Sequence, residues 1–309
     1  MSIELPVARP SIGASTTRDG RKWDYAQAFC RNLGIVSEAE QEKLRVSRVA
    51  IVGMGGVGGE HLMTLARLGI GQFTITDFDT FELANFNRQY GARIDTLGLS
   101  KVEVMANDVQ RINPGVKLRV LPHGVGPESF DQFLDGADLL LDGIDYFAID
   151  VRRQLYRAAA ARGIPAIMAG PLGCSVAWLV FTAQGMPFDR YFDLHDGQSE
   201  LQQLAAFTVG LAPAALHFPY VDISHVNIKE QYGPSVGLAC GLCAGVAATE
   251  SLKILLGRGK LRPVPQYSQF DAYRGKLRCG RLWGGNRHPL QQLKRWWLLQ
   301  RVMSLVRKS

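Results

Sequence analysis

Three glycines, Gly53, Gly55 and Gly58, stand in G-x-G-x-x-G spacing, with Gly56 between them, directly after the apolar run Val49–Val52. Asp77 follows further along, then Asn85, Arg88 and Gln89, then Lys101, then Asp142 and Asp145. Glycines there let a backbone turn tightly and approach a phosphate. The helix that follows offers free N–H groups and the positive end of its dipole. Such a loop narrows the ligand to a nucleotide. Asp77 suits a ribose hydroxyl, and on that evidence alone NAD fits as well. Arg88, Lys101 and a carboxylate able to hold Mg²⁺, Asp145, argue instead for a triphosphate.

These residues act together only if the fold brings them to one crevice. Apolar runs predict strands at 48–53, 73–77, 117–121, 138–142 and 165–169. Periodic stretches between them predict helices at 57–69, 99–112, 127–134 and 147–162. Strands alternating with helices imply an α/β fold with a doubly wound, mostly parallel, Rossmann-like sheet. Ligands bind outside the carboxyl ends of the strands in such folds, which is where Asp77 and Asp145 fall. Upstream, 21–45 reads as helical with an interruption at Gly34, and Ser37-x-x-Glu40 marks a capping box for the next helix, which runs to about Leu44. After Pro171 the alternation stops. A strand at Trp178–Thr182 precedes a crossover insert, about 185–236, rich in Pro, His, Tyr and Gly, with helical pieces near 199–209. A helix at 240–256 and a strand at Gln266–Tyr273 follow. The expected organisation is a flexible arm at 1–20, a nucleotide domain at 21–275 and a basic, helical C-terminal tail at 276–309.

Hydrophobic residues make up 47% of the 309 and charged residues 20%, which excludes a disordered chain. No apolar run reaches 18 residues, so no transmembrane helix is expected. Residues 1–20 lack the apolar segment of a secretory signal. Five cysteines, an odd and sparse set, point to reduced thiols and a cytoplasmic location. The net charge of +7 is concentrated in the tail, where Arg278–Ser309 holds eight Lys/Arg and no Asp/Glu. That run is either a solvated terminus or a surface for an anionic partner.

The combination Gly53-x-Gly-Gly-x-Gly58, Asp77-x-Asp79, Asn85-x-x-Arg-Gln89, Lys101 and Asp145 resembles the ThiF/MoeB/HesA superfamily, adenylating enzymes related to ubiquitin-activating enzyme. The likeness runs from about residue 25 to 273. It implies that the glycine loop and Asp77 hold ATP, with Asp79 beside them. It further implies that Asn85, Arg88, Gln89 and Lys101 serve the phosphates and that Asp145 helps hold Mg²⁺. An N-terminal arginine of the family reaches the ATP of a second subunit in a homodimer, and Arg31 is the candidate here. A carboxylate is already a nucleophile at neutral pH, so attack on the α-phosphorus needs fixed cations more than a base.

The likeness also has gaps. Sulfur-transfer members carry two C-x-x-C pairs for zinc, whereas this chain has one, Cys240 and Cys243, with Cys279 beyond, so zinc is not expected. No cysteine lies between Phe181 and Ala239, where relay members place theirs, and Cys174 is the remaining candidate nucleophile. The expected activity is an ATP-dependent adenylyltransferase that passes the acyl group to an external nucleophile. Its carboxylate would belong to the C-terminus of a small ubiquitin-like or sulfur-carrier protein, to a small molecule, or to a modified base of tRNA. The alternatives are an NAD(P)-dependent oxidoreductase and a non-catalytic nucleotide-binding partner protein.

Overall fold

Val49, Ala50, Ile51 and Val52 are all buried, as a central strand covered on both faces requires. They form β1 (Arg48–Val52) of a computed structural model that describes residue 20 and residues 22–306. The arm expected at 1–20 lies, apart from Gly20, outside the described residues. β1 pairs in parallel with β2 (Gln72–Thr76) on one side and with β4 (Leu139–Asp142) on the other. β3 (Lys117–Leu121) extends the sheet beyond β2, and β5 (Ala166–Leu172) extends it beyond β4, both in parallel. β6 (Ser175–Phe181), β7 (Gln266–Asp271) and β8 (Lys276–Arg281) then add in antiparallel fashion. The order is β3-β2-β1-β4-β5-β6-β7-β8, which places the switch point between β1 and β4.

Alternate residues of each strand feed two cores, one on each face of the sheet. Ile51, Phe73 and Leu141 pack with α3 (Gly56–Arg67), α4 (Lys101–Ile112) and α9 (Gly237–Leu256). Ala50, Leu140 and Phe181 pack with α6 (Ile149–Ala161), α7 (Phe188–Phe192) and α8 (Glu200–Leu211). The short α5 (Phe130–Leu134) lies on this second face. Before the sheet, α1 (Tyr25–Ala28) and α2 (Glu38–Val46) flank a 3-10 turn, Cys30–Asn32. The capping box at Ser37 and Glu40 is formed in full.

Three elements differ from the sequence reading. The first helix in 21–45 is shorter than expected, since α1 gives way to the turn at Cys30–Asn32, and the break falls at Gly34, at φ +100°, where the sequence places it. The expected boundary at 275 has no structural counterpart, since Lys276–Arg281 hydrogen-bonds along β7 as the eighth strand. The terminal helix α10 (Pro289–Val306) docks on α8. Gln291 Nε2 donates to Val209 O at 3.0 Å, and Asn286 Nδ2 donates to Phe192 O at 3.0 Å and Ala206 O at 2.6 Å. One helix bears on the expectation of no transmembrane helix. Among the described residues α9 is long and apolar enough by length and composition, but Ala239, Cys243, Ala247 and Leu255 are buried in the fold. α9 packs on α3, β5 and β6 as a core helix does.

Candidate functional site

The turn from β1 into α3 is set by glycine. Gly53 sits at φ +82°, which an L side chain rarely adopts. A Cβ on Gly58 would overlap Gly53 O, one on Gly53 would overlap Gly143 O, and one on Gly143 would lie 2.8 Å from Gly58 Cα. The loop is thus clasped between its own helix and the strand-four loop, with no room for a methyl. Gly143 completes the cradle, and its place directly after strand four was the signal for it.

Asp77 fixes the same loop from the end of β2. Its Oδ2 accepts the Met54 N–H at 2.6 Å and its Oδ1 the Asp79 N–H at 2.8 Å. Burial raises its carboxyl above the usual value, while those backbone bonds and Lys101 act in the opposite direction. Lys101, the first residue of α4, is buried, and its Nζ meets Asp79 Oδ2 at 2.9 Å. Asp79 is half exposed beside it.

Arg88 is held by Ala84 O and Asn87 Oδ1, both at 2.9 Å, and forms no ion pair among the described residues. Gln89 is buried with its Oε1 unpartnered. Asp145 is exposed, its Oδ1 accepting the Phe147 N–H at 2.9 Å. A cavity of about 1030 Å³ brings together Gly53, Gly55, Gly56, Asp77, Asp79, Arg88, Gln89, Lys101 and Asp145.

Four expected residues sit elsewhere. Gly58 lies behind the loop and acts through its missing side chain. Asn85 is buried off the cavity, its Oδ1 accepting the Glu82 N–H at 3.0 Å, so it shapes the 83–85 turn. Arg31 is exposed on the Cys30–Asn32 turn, away from the cavity of its own chain. Cys174 follows the last lining residue of the β5–β6 turn, Gly173, and its N–H donates to Tyr220 Oη at 2.9 Å.

Further residues line the cavity, among them Asp142 of the sequence constellation and others not read from the sequence as part of the site. Cys240, in the first turn of α9, is buried in the cavity wall near Gly56. Burial pushes its thiol up to about 11, so it is a neutral thiol at physiological pH. Cys243 is raised too, by the same cause. Among the described residues no three His, Cys, Asp or Glu cluster to hold a metal. Asp142 is buried in a pair with Arg152, Oδ2 to Nε at 2.9 Å, and accepts Tyr156 Oη at 3.0 Å. Arg152 in turn donates to Ile144 O and Asp145 O, which sets the loop that carries Asp145.

The insert is pinned at its base. Asp189 receives Arg153 and Arg157, so this acid braces α7 against α6 and leaves the cavity. His217 and His225 do line the cavity. Burial lowers His217, with Asp271 acting against it, and its Nδ1 lies 3.3 Å from Gln269 Nε2.

Comparison with known proteins supplies the lineage. A tRNA threonylcarbamoyladenosine dehydratase from Bacillus subtilis is 34% identical over 140 residues, 45% of this chain and 54% of that protein. Ubiquitin-like modifier-activating enzyme 5 from Aedes aegypti is 40% identical over 146 residues, 43% of this chain and 36% of that protein. The chain spans about half the length, or less, of the curated relatives it matches. Among solved structures, Escherichia coli MccB with ATP superimposes with a TM-score of 0.63 at 15% identity, covering 84% of this chain and 71% of that one. That likeness is one of fold. The model of the ThiF family matches residues 29–289, a span that takes in the glycine cradle, every strand and the insert, and the chain belongs to that family.

Proposed function

We propose that this chain activates a carboxylate with ATP. The observation that carries this reading is the cavity itself. It sets a glycine cradle, a ribose-ready carboxylate and two cations, Arg88 and Lys101, around one space. An oxygen of the acceptor carboxylate attacks the α-phosphorus. The bond from that phosphorus to the bridging oxygen breaks, and pyrophosphate leaves with the electron pair. The product is an acyl adenylate, which an external nucleophile then attacks to release AMP.

Arg88 and Lys101 oppose the charge that builds on the leaving group. Asp77 orients the ribose and Asp145 holds the Mg²⁺ that enters with the nucleotide. Arg31 serves the site of a second copy in a homodimer. The neutral Cys240 and the off-cavity Cys174 favour transfer to an outside nucleophile over covalent relay. The names of the relatives suggest acceptors on a ubiquitin-like modifier or on tRNA. None of the relatives reported above is named as an oxidoreductase. The odd and sparse set of cysteines supports a cytoplasmic location.

The test is exchange of radiolabelled pyrophosphate into ATP with a panel of carboxylates. Arg88→Ala is expected to lower exchange by about a hundredfold. Absence of exchange with every acid, together with measurable NAD reduction, would sink the proposal.

A further inference from the structure

The cavity has two chemically distinct ends. One carries the glycine loop and the charged set. At the other, Leu201, Leu204, Ala205, Thr208 and Leu211 of α8 line the wall. Their spacing of three and four residues stacks them on one helix face. Leu298 and Leu299 of α10 complete this wall, although the sequence places them in a terminal tail. The other side of α8 is already used, since Ala206 is fully buried and its carbonyl accepts Asn286 Nδ2, while Phe207 packs on Phe192 at the cavity's edge. An apolar helix face therefore looks onto a cavity in place of a core.

Among the described residues no Lys, Arg, Asp or Glu of α8 or α10 lines the wall, while Lys229 of the insert lines the same cavity. Arg152, also a lining residue, is paired with Asp142 at 2.9 Å and lies over the Phe207 ring at 4.7 Å. The polar pair Tyr146 Oη and Thr208 Oγ1, 2.5 Å apart, is satisfied internally, because Thr208 Oγ1 passes its proton on to Leu204 O at 2.7 Å.

Resting on the adenylation reading, we propose that the acceptor is a small monocarboxylic acid with an apolar body. The body seats against α8 and the two α10 leucines, and the carboxylate faces the nucleotide end. Apolar surface turned to water is unfavourable in proportion to its area, and an apolar body covers it. A Gly-Gly tail has no side chain to do so. A dicarboxylate would set a second charge against a wall where α8 and α10 offer it no described partner.

Pyrophosphate exchange is measured with propanoate, butanoate, hexanoate, phenylacetate, glutarate and a peptide ending in Gly-Gly, with ATP binding followed by calorimetry. Within the aliphatic series KM is expected to fall about fourfold per methylene. Leu298→Glu, and separately Leu201→Gln, should raise KM for hexanoate at least tenfold and leave ATP affinity unchanged. Exchange driven only by glutarate or the Gly-Gly peptide overturns the acceptor assignment and leaves adenylation standing. A hexanoate KM unchanged in both variants, each folded and binding ATP, overturns it too. Failure of the parent protein to bind ATP overturns the adenylation reading first.

Discussion

Asp77 and Met54 are joined by a 2.6 Å hydrogen bond from the Met54 amide to the Asp77 carboxylate, across the gap between β2 and the glycine loop. The residue suited to a ribose is thus also the residue that fixes the phosphate loop. Asp77→Asn keeps the shape but replaces one acceptor oxygen with a donor. It should weaken ATP at least tenfold, with Tm reduced by only a few degrees. Calorimetric titration beside a thermal melt separates the two effects, and unchanged ATP affinity would refute the dual role.

Gly58 makes a sharper prediction about the backbone. A methyl there overlaps Gly53 O, a main-chain atom that cannot swing aside. Gly58→Ala should push the loop off β1, abolish nucleotide binding and cost about 1–3 kcal/mol of stability. Gly98, at φ +77° but with nothing near its Cβ, is the control. Gly98→Ala should cost about 1 kcal/mol and leave ATP binding intact. Equal losses of binding in the two variants would contradict the steric account.

His61 gives the chain a pH dependence. It is buried in α3, both ring nitrogens lack partners, and burial lowers its pKa to about 3. Because the folded pKa lies below the unfolded one, protonation favours the unfolded chain. Stability from this group is full above about pH 6.5 and is lost as pH falls toward 3. At pH 5 the loss is about 2 kcal/mol. His61→Leu should remove this part of the slope in urea midpoints compared at pH 7 and pH 5. A slope as steep as in the parent would exclude His61 as its source.

Asp193 ties the terminal helix to the body. Its carboxylate accepts Arg287 Nε at 3.1 Å, Gln292 Nε2 at 3.2 Å and Arg295 Nη1 at 3.0 Å. Burial raises its pKa, but these three donors outweigh burial and hold it below the usual value. The contribution is present above the ordinary Asp range and is lost as pH falls through the folded value. Asp193→Asn should speed amide exchange in 289–301 at pH 7 and narrow the difference between pH 7 and acid. Unaltered protection of α10 would show that the packing of Gln291 and Asn286 suffices.

How much of this was legible beforehand follows from the range of each interaction. β1, β3 and the capping box at Ser37 were readable because local periodicity and turn chemistry decide them. Convergence of Asp77, Arg88, Lys101 and Asp145 was readable because a doubly wound sheet puts strand ends at one edge. The break at Gly34 within 21–45 was readable from local turn chemistry, whereas the strand at 276–281 was misread, since it depends on a partner strand. Exposed Leu277, Arg278 and Cys279 carry no alternation that a single-sequence reading could use.

The sequence by itself pointed to a nucleotide, because the spacing of glycines and charges is a local property that survives any arrangement of the rest. Tertiary structure alone decided which groups remain free to use it. Asp142 and Asp145 are three residues apart and both line the cavity, yet one is buried and paired with Arg152 while the other is exposed. Cys174 falls just outside the crevice and Cys240 just inside it. Leu298 and Leu299, far along the chain from the glycine loop, become a wall of the same space. Such outcomes rest on packing between distant segments, where burial and ion pairing are settled by neighbours that no window of sequence contains.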